Sequence, residues 1–238
     1  MQPSNRSSSL ILGLCLLTGL AILGFLLGKA ALDYKQLDRS VTVKGLAERE
    51  LNADIVIWPI QFTLANNDLQ QLYESIERDS AKIRTFLAAN GVSPEEISQA
   101  APAITDKSAN MYGGDSGAQF RYTAQQIVTV YSENISAVRK TMSLMPELGK
   151  QGIVLTGGYE SQPEYLFTRL NEIKPEMIEE ATRKAREVAA KFAADSASTL
   201  GKIRQARQGQ FSISPRDQNN PHIKKVRVVS TVEYYLSD

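Results

Sequence analysis

Between Pro175 and Leu200 the chain reads PEMIEEATRKAREVAAKFAADSASTL, and Ile178, Ala181, Ala185, Val188, Ala189, Phe192 and Ser196 recur at steps of three and four. That spacing lays one apolar stripe along a helix of period 3.6, and the stripe must face a core. It is rich in alanine, whose short side chain lets a sheet approach closely. The outer face carries Glu179 with Arg183, Glu180 with Lys184, Arg183 with Glu187 and Glu187 with Lys191. Such solvated i to i+4 pairs contribute about 0.3 kcal/mol each, so they support the helix without forming a charge site. Pro175 suits a first helical turn and Gly201 the position just past the end. The spacing predicts a helix that organises a mixed α and β domain, and it names no reaction.

A second constraint comes from the 18 uncharged residues Leu10–Leu27, LILGLCLLTGLAILGFLL. As a helix they span about 27 Å, enough to cross a bilayer. Two readings stand: an uncleaved anchor over 10–28, or a long secretory signal cut before Ala31, where Gly28 and Ala30 supply small residues. The run is longer than the apolar part of an ordinary signal, and Arg6 is its only preceding cationic side chain, which favours the anchor. Arg6 and the terminal amine precede the run and Lys29, Asp33 and Lys35 follow it, a balance that favours the N-terminus in the cytoplasm. The expected order is a cytoplasmic tail over 1–9, the anchor, a polar connector over 29–40, and one domain over 41–238. Gly24 and Gly28 form a G-x-x-x-G step, the candidate site for close approach of two such helices.

Without residues 1–30, which hold Arg6 and Lys29 and no acidic residue, 25 basic residues face 26 acidic ones. Binding of nucleic acid by counterion release needs a basic excess or stripe, so no nucleic-acid partner is expected. The single cysteine, Cys15, lies within the apolar run, so the domain has neither disulfide nor thiol chemistry.

Along 41–238 the clearest strand is Asp54–Ala65, with Val56, Trp58, Ile60, Phe62 and Leu64 on one side. Pro59 cannot donate a ladder hydrogen bond, which predicts an edge strand or a bulge. Val41 and Val43 lead to Gly45 in a first strand. Asn67 is expected to cap a helix to Ala89, with Leu72, Ile76, Ile83 and Leu87 inward and Asn90-Gly91 as its stop. Ser93-Pro94-Glu95-Glu96 reads as a capping box. Strands follow at 100–108 and Phe120–Tyr131, around a flexible Gly113–Gly117 loop. A helix is expected over Ile135–Leu148, strands at Ile153–Glu160 and Pro163–Thr168, and a final pair at Lys202–Ser214 and Val226–Leu236. The order β-β-α-β-β-α-β-α-β-β specifies an α+β fold, a largely antiparallel sheet covered by helices.

No catalytic constellation emerges. His222 is the only histidine and has no cysteine or second histidine at ligand spacing, so no metal or cofactor is expected and it reads as a solvated loop residue. No G-x-S-x-G supports a serine nucleophile, and Gly113–Gly117 lacks the lysine and following helix of a phosphate loop. Lys224, Lys225 and Arg227 form a short basic cluster, of the kind that keeps an edge strand from aggregating.

Val41-Thr-Val-Lys-Gly45, Ala89-Asn-Gly-Val with the Ser-Pro-Glu-Glu-Ile after it, Ala193-Ala-Asp-Ser-Ala-Ser-Thr-Leu-Gly-Lys-Ile203 and Val226-Arg-Val-Val-Ser-Thr-Val-Glu-Tyr-Tyr-Leu236 resemble the bacterial SIMPL-domain family. The resemblance covers nearly all of 41–238 and carries no catalytic residues. It implies an exported or anchored envelope protein, with relatives linked to oxidative-stress tolerance and some forming large rings. The long apolar segment and Trp58-Pro59 depart from the simplest secreted members. The expectation is a non-enzymatic protein of the bacterial inner membrane: single-pass, in contact with lipid through its N-terminal helix, with a self-associating periplasmic domain and an unknown ligand. The alternative is a periplasmic ligand- or protein-binding module released by signal cleavage, with the 109–119 and 214–225 loops as its mouth.

Overall fold

The structure, a computed structural model, describes residues 6–37, 39–109, 119–158 and 161–237. The chain opens with α1, Arg6–Leu37, whose segment Leu10–Ala31 is wholly exposed and has a mean hydropathy of 2.7. It is long and apolar enough to cross a membrane, a test that a signal sequence also passes. The helix runs on to Leu37, into most of the residues expected to form the polar connector.

The chain, α1 included, divides into two compact units, one drawn from 1–48, 175–211 and 227–238, the other from 49–174 and 212–226. In the first, strand β9 (Ile223–Ser237) lies between β1 (Ser40–Asn52) and β7 (Thr199–Gln208). Helix α5, Leu170–Asp195, buries Met177, Ala181, Ala185, Ala189 and Ala193. Ala185 and Ala189 share a core with Val43, Val232 and Tyr234. A side chain on Gly45 would meet the carbonyl oxygen of Ala181 at 1.8 Å and the nitrogen of Ala185 at 2.5 Å, so helix backbone rests directly on strand backbone. Alanine and glycine together permit this approach. The stripe is rotated from the expected one: Val188 and Phe192 are 37% and 55% exposed, while Met177 and Ala193 face inward.

Both ends of α5 differ from expectation for physical reasons. Asp54, in the turn after β1, accepts hydrogen bonds from the amides of Thr168 and Arg169. This cap, supplied from 114 residues away, starts the helix at Leu170 and leaves Pro175 inside it. At that depth the proline removes one early backbone bond and its fixed φ is still helical. The C-terminus stops before Gly201. Ala197 takes a left-handed φ of 54°, and the amides of Ala197 and Ser198 bond back to Ala194 and Ala193 at 3.1 and 2.8 Å, a Schellman motif.

In the second unit the sheet order is β3 (Ile97–Gln99), β5 (Tyr122–Ser132), β2 (Ile55–Asn66) and β6 (Glu164–Leu166), with β4 (Ala103–Asp106) also on β5. β2 and β5 pair antiparallel from Val56↔Ser132 to Asn66↔Tyr122. The expected face of β2, Val56, Trp58, Ile60 and Phe62, packs with Ile83, Phe86 and Leu87 of helix α2 (Leu69–Ala89). Pro59 is therefore in an interior strand. The carbonyl of Gln61 and the amide of Thr63 both bond away from β5, to Thr156 and Val154. Backbone groups alternate sides along a strand, so the Pro59 nitrogen points the same way, into the gap between β6 and the Leu155 bridge.

Other boundaries shift locally. Asp68 caps α2 in place of Asn67. The capping box at Ser93–Glu96 forms, around a single 3-10 turn. Pro146 splits the helix expected over 135–148 into α3 (Ile135–Ser143) and α4 (Pro146–Lys150). The Ile153–Glu160 strand reduces, among the described residues, to the Phe62↔Leu155 bridge. The last pair becomes three strands, β7, β8 (Ser212–Pro215) and β9.

Candidate functional site

The loop between β8 and β9 is organised by Asp217. Its Oδ1 accepts from the amides of Asn219 and Asn220 at 2.9 and 2.8 Å, while its Oδ2 accepts from Arg216 Nε at 2.8 Å. Asp and Asn readily nucleate such turns by bonding to backbone two or three residues on. The Arg216 guanidinium, with the Asn220 bonds, holds the Asp217 carboxyl below its ordinary value. Arg216 also reaches Glu50 at 3.7 Å.

That turn presents His222. Its carbonyl accepts from the Ala53 amide at 2.8 Å, fixing the loop to the turn after β1. Its Nε2 lies 3.0 Å from Nη1 of Arg139 on α3, and the Tyr165 ring from β6 is tilted against it at 6.0 Å. Nδ1 is buried without a partner. Burial, then the charges of Arg139 and Arg216, lower the His222 pKa, with Asp217 opposing. The expected solvated loop histidine is thus a half-buried packing residue, because α3 brings Arg139 to it from 83 positions away. Burial also raises the Tyr165 phenol, against the pull of Arg139.

Beside the loop lies an open depression of about 750 Å³ lined by Gln162, Pro163, Pro215, Asp217, Gln218 and Pro221. A smaller groove of about 410 Å³ runs over β2, β4 and β5, with Thr63, Thr105, Thr123 and Gln125 among its uncharged lining. The two loops expected to form one mouth do not leave from one place. The 214–225 loop is tied to Ala53, just before β2. The base of the other is tied to Asn67, just after β2, whose Oδ1 accepts from the Arg121 amide at 2.8 Å. The twelve residues of β2 separate them by roughly 36 Å. Gly113–Gly117 lie outside the described residues.

That second base is a latch in its own right. Arg121 donates through Nε and Nη2 to the two oxygens of Asp106 at 3.2 and 2.9 Å. This bidentate pair, helped by Ser108, holds the Asp106 carboxyl well below the usual carboxylate range. The Arg121 guanidinium also stacks 4.8 Å above the Tyr122 ring.

Strand alternation disperses the basic cluster. Lys224 is buried at 8% exposure, which lowers its pKa against the pull of Glu164, whereas Arg227 is exposed. Gly24 and Gly28 lie one turn apart on α1, and a side chain at either would meet nothing within 4 Å. Among the described residues no three of His, Cys, Asp or Glu are placed to hold a metal ion. Sequence reasoning missed Arg139, Tyr165 and Glu50, for which no local signal exists. The Asp217-Gln-Asn-Asn-Pro221 string, a turn signature, was available to place the loop.

These features define an α+β protein built on antiparallel sheets and preceded by an apolar helix, with polar latches at the Asp106–Arg121 and Asp217–His222 loops. Residues 41–233 match the model of the SIMPL family, described as a protein of unknown function (DUF541). The chain belongs to the SIMPL family. A search of curated proteins found no match to it.

Proposed function

We propose that this chain is a non-enzymatic envelope protein, anchored in a bacterial inner membrane by α1, with its SIMPL domain in the periplasm and self-associating there. The observation that carries the reading is the exposed Leu10–Ala31 segment, every residue of which is apolar or uncharged except Lys29. Burying such a surface in lipid is strongly favourable, whereas leaving it in water is not. The absence of catalysis is supported by His222, whose acceptor nitrogen is engaged by Arg139 and so is poorly placed to take a proton from a substrate. Self-association is supported by Val188 and Phe192, exposed one turn apart on α5, and by β7, exposed along almost its whole length. A contribution to envelope or oxidative-stress tolerance belongs to the same proposal.

The test is intact mass and fractionation of the native protein after an alkaline carbonate wash, with crosslinking in membranes. Full-length mass in the washed pellet and crosslinked oligomers are expected. A soluble species beginning at Ala31 refutes the anchor, and monomer alone refutes self-association. A second reading, a released binding module, is favoured by the depression at Pro163, Pro215 and Pro221.

A further inference from the structure

His222 is the one histidine of the chain, the side chain whose ordinary pKa lies between pH 5 and 8. Arginine only donates hydrogen bonds. The 3.0 Å contact with Arg139 Nη1 therefore makes His222 Nε2 the acceptor and places the single imidazole proton on Nδ1. Nδ1 is buried with no acceptor facing it. A second proton can enter only at Nε2, where it would point into the guanidinium.

The surrounding groups offer little relief. Arg139 faces the ring from α3, and Tyr165, a neutral phenol, from β6. Within the loop, Arg216 disfavours an imidazolium and Asp217 favours it. Asp217 is already engaged by Arg216 and by the amides of Asn219 and Asn220. Glu50 is paired to Arg216, and Asp54, next to the Ala53 amide that holds the His222 carbonyl, is committed to Thr168 and Arg169.

We infer that His222 and Arg139 form an acid-released latch: protonation of the imidazole breaks their contact, releasing the 216–223 loop from α3 and loosening the wall of the depression that Asp217, Gln218 and Pro221 provide. The closed loop favours the neutral ring, and the open loop takes up a proton as an ordinary histidine does, near pH 6.5. The latch is thus fully favoured above pH 6.5 and weakens as pH falls from there through the lower pKa of the closed form. One proton is linked, so the open-to-closed ratio rises by at most about tenfold per pH unit.

A single histidine makes the test direct. Full-length protein in detergent, labelled at histidine, gives one imidazole NMR titration. Its midpoint is expected below that of the same chain unfolded in urea, and Arg139→Met should raise it toward the unfolded value. Amide-exchange protection of 216–223 should fall as pH drops through the midpoint. In His222→Gln, whose amide oxygen can still accept from Arg139 and does not titrate, protection should stay level. A midpoint at or above the unfolded value overturns the latch, as does unchanged protection across the midpoint or the same acid-induced loss in His222→Gln. If Arg139→Met fails to fold, the native and His222→Gln profiles decide.

Discussion

Replacing Gly45 by alanine should destabilise the protein by about 3 kcal/mol, roughly a hundredfold in the folding equilibrium. In most strands this exchange would help by about 0.5–1 kcal/mol, since glycine loses the most freedom on folding. Gly45 has no left-handed φ that would require glycine. Its constraint is space: the new methyl group would sit 1.8 Å from the Ala181 oxygen, 2.5 Å from the Ala185 nitrogen and 2.9 Å from the Ala181 carbonyl carbon. All three are helix backbone, so no side chain can rotate away. Ordinary contact begins at 3.4 Å, so α5 must lift by about 1.5 Å, and a gap of even 0.5–1 Å forfeits a quarter to a half of the attraction between facing atoms. The loss falls on Val43, Ala185, Ala189, Val232 and Tyr234. It places the effect at the upper end of overpacking costs. Urea titration of the full-length chain in detergent, followed by far-UV circular dichroism, measures it. Gly149→Ala in α4, with nothing within 4 Å, is the control and should gain about 0.5 kcal/mol. Adding Ala181→Gly should not rescue Gly45→Ala, because the obstruction is a carbonyl. A Gly45→Ala protein as stable as the native one would refute the reasoning.

Ala197→Gly should stabilise by about 1 kcal/mol in the same titration, because φ of 54° strains any residue with a Cβ. Asp54→Ala should cost about 1 kcal/mol by removing the cap at Thr168 and Arg169, and should fray the first turns of α5 in amide exchange. Burial alone would raise the Asp54 carboxyl, but the bonds from Thr168 and Arg169 outweigh it, and Asp106 is lowered by Arg121. Both groups bind protons less readily folded than unfolded. Their contribution is present above pH 3.8 and lost as pH falls from there through the folded values. Asp106→Asn should flatten that part of a stability-versus-pH profile.

The parts of the fold that follow a period were legible. Alternation in β2 gave its buried face correctly, and the alanine run announced a close helix-to-sheet contact, though not that Gly45 would be its other half. What failed depended on distant partners. Pro175 looked like a helix start because Asp54, which caps the real start, lies 114 residues back. Val188 and Phe192 fit a helical period but lie on the flank of α5, since alanine alone is small enough for the centre of the contact. Pro59 marked a missing hydrogen-bond neighbour, and the sequence could not say that the gap was local to an interior strand. His222 read as solvated because nothing near it in the chain predicts Arg139.

Strand β1 spans Ser40–Asn52, while β9, its hydrogen-bonding neighbour among the described strands, begins at Ile223. A ribosome releases β1 roughly 180 residues before that partner exists, and contacts so distant in sequence form slowly. Through most of its synthesis the chain therefore carries an unpaired strand whose Val41, Val43 and Ala47 have nowhere to go. Any handling of this protein during biogenesis has to shelter β1 until the last strand arrives.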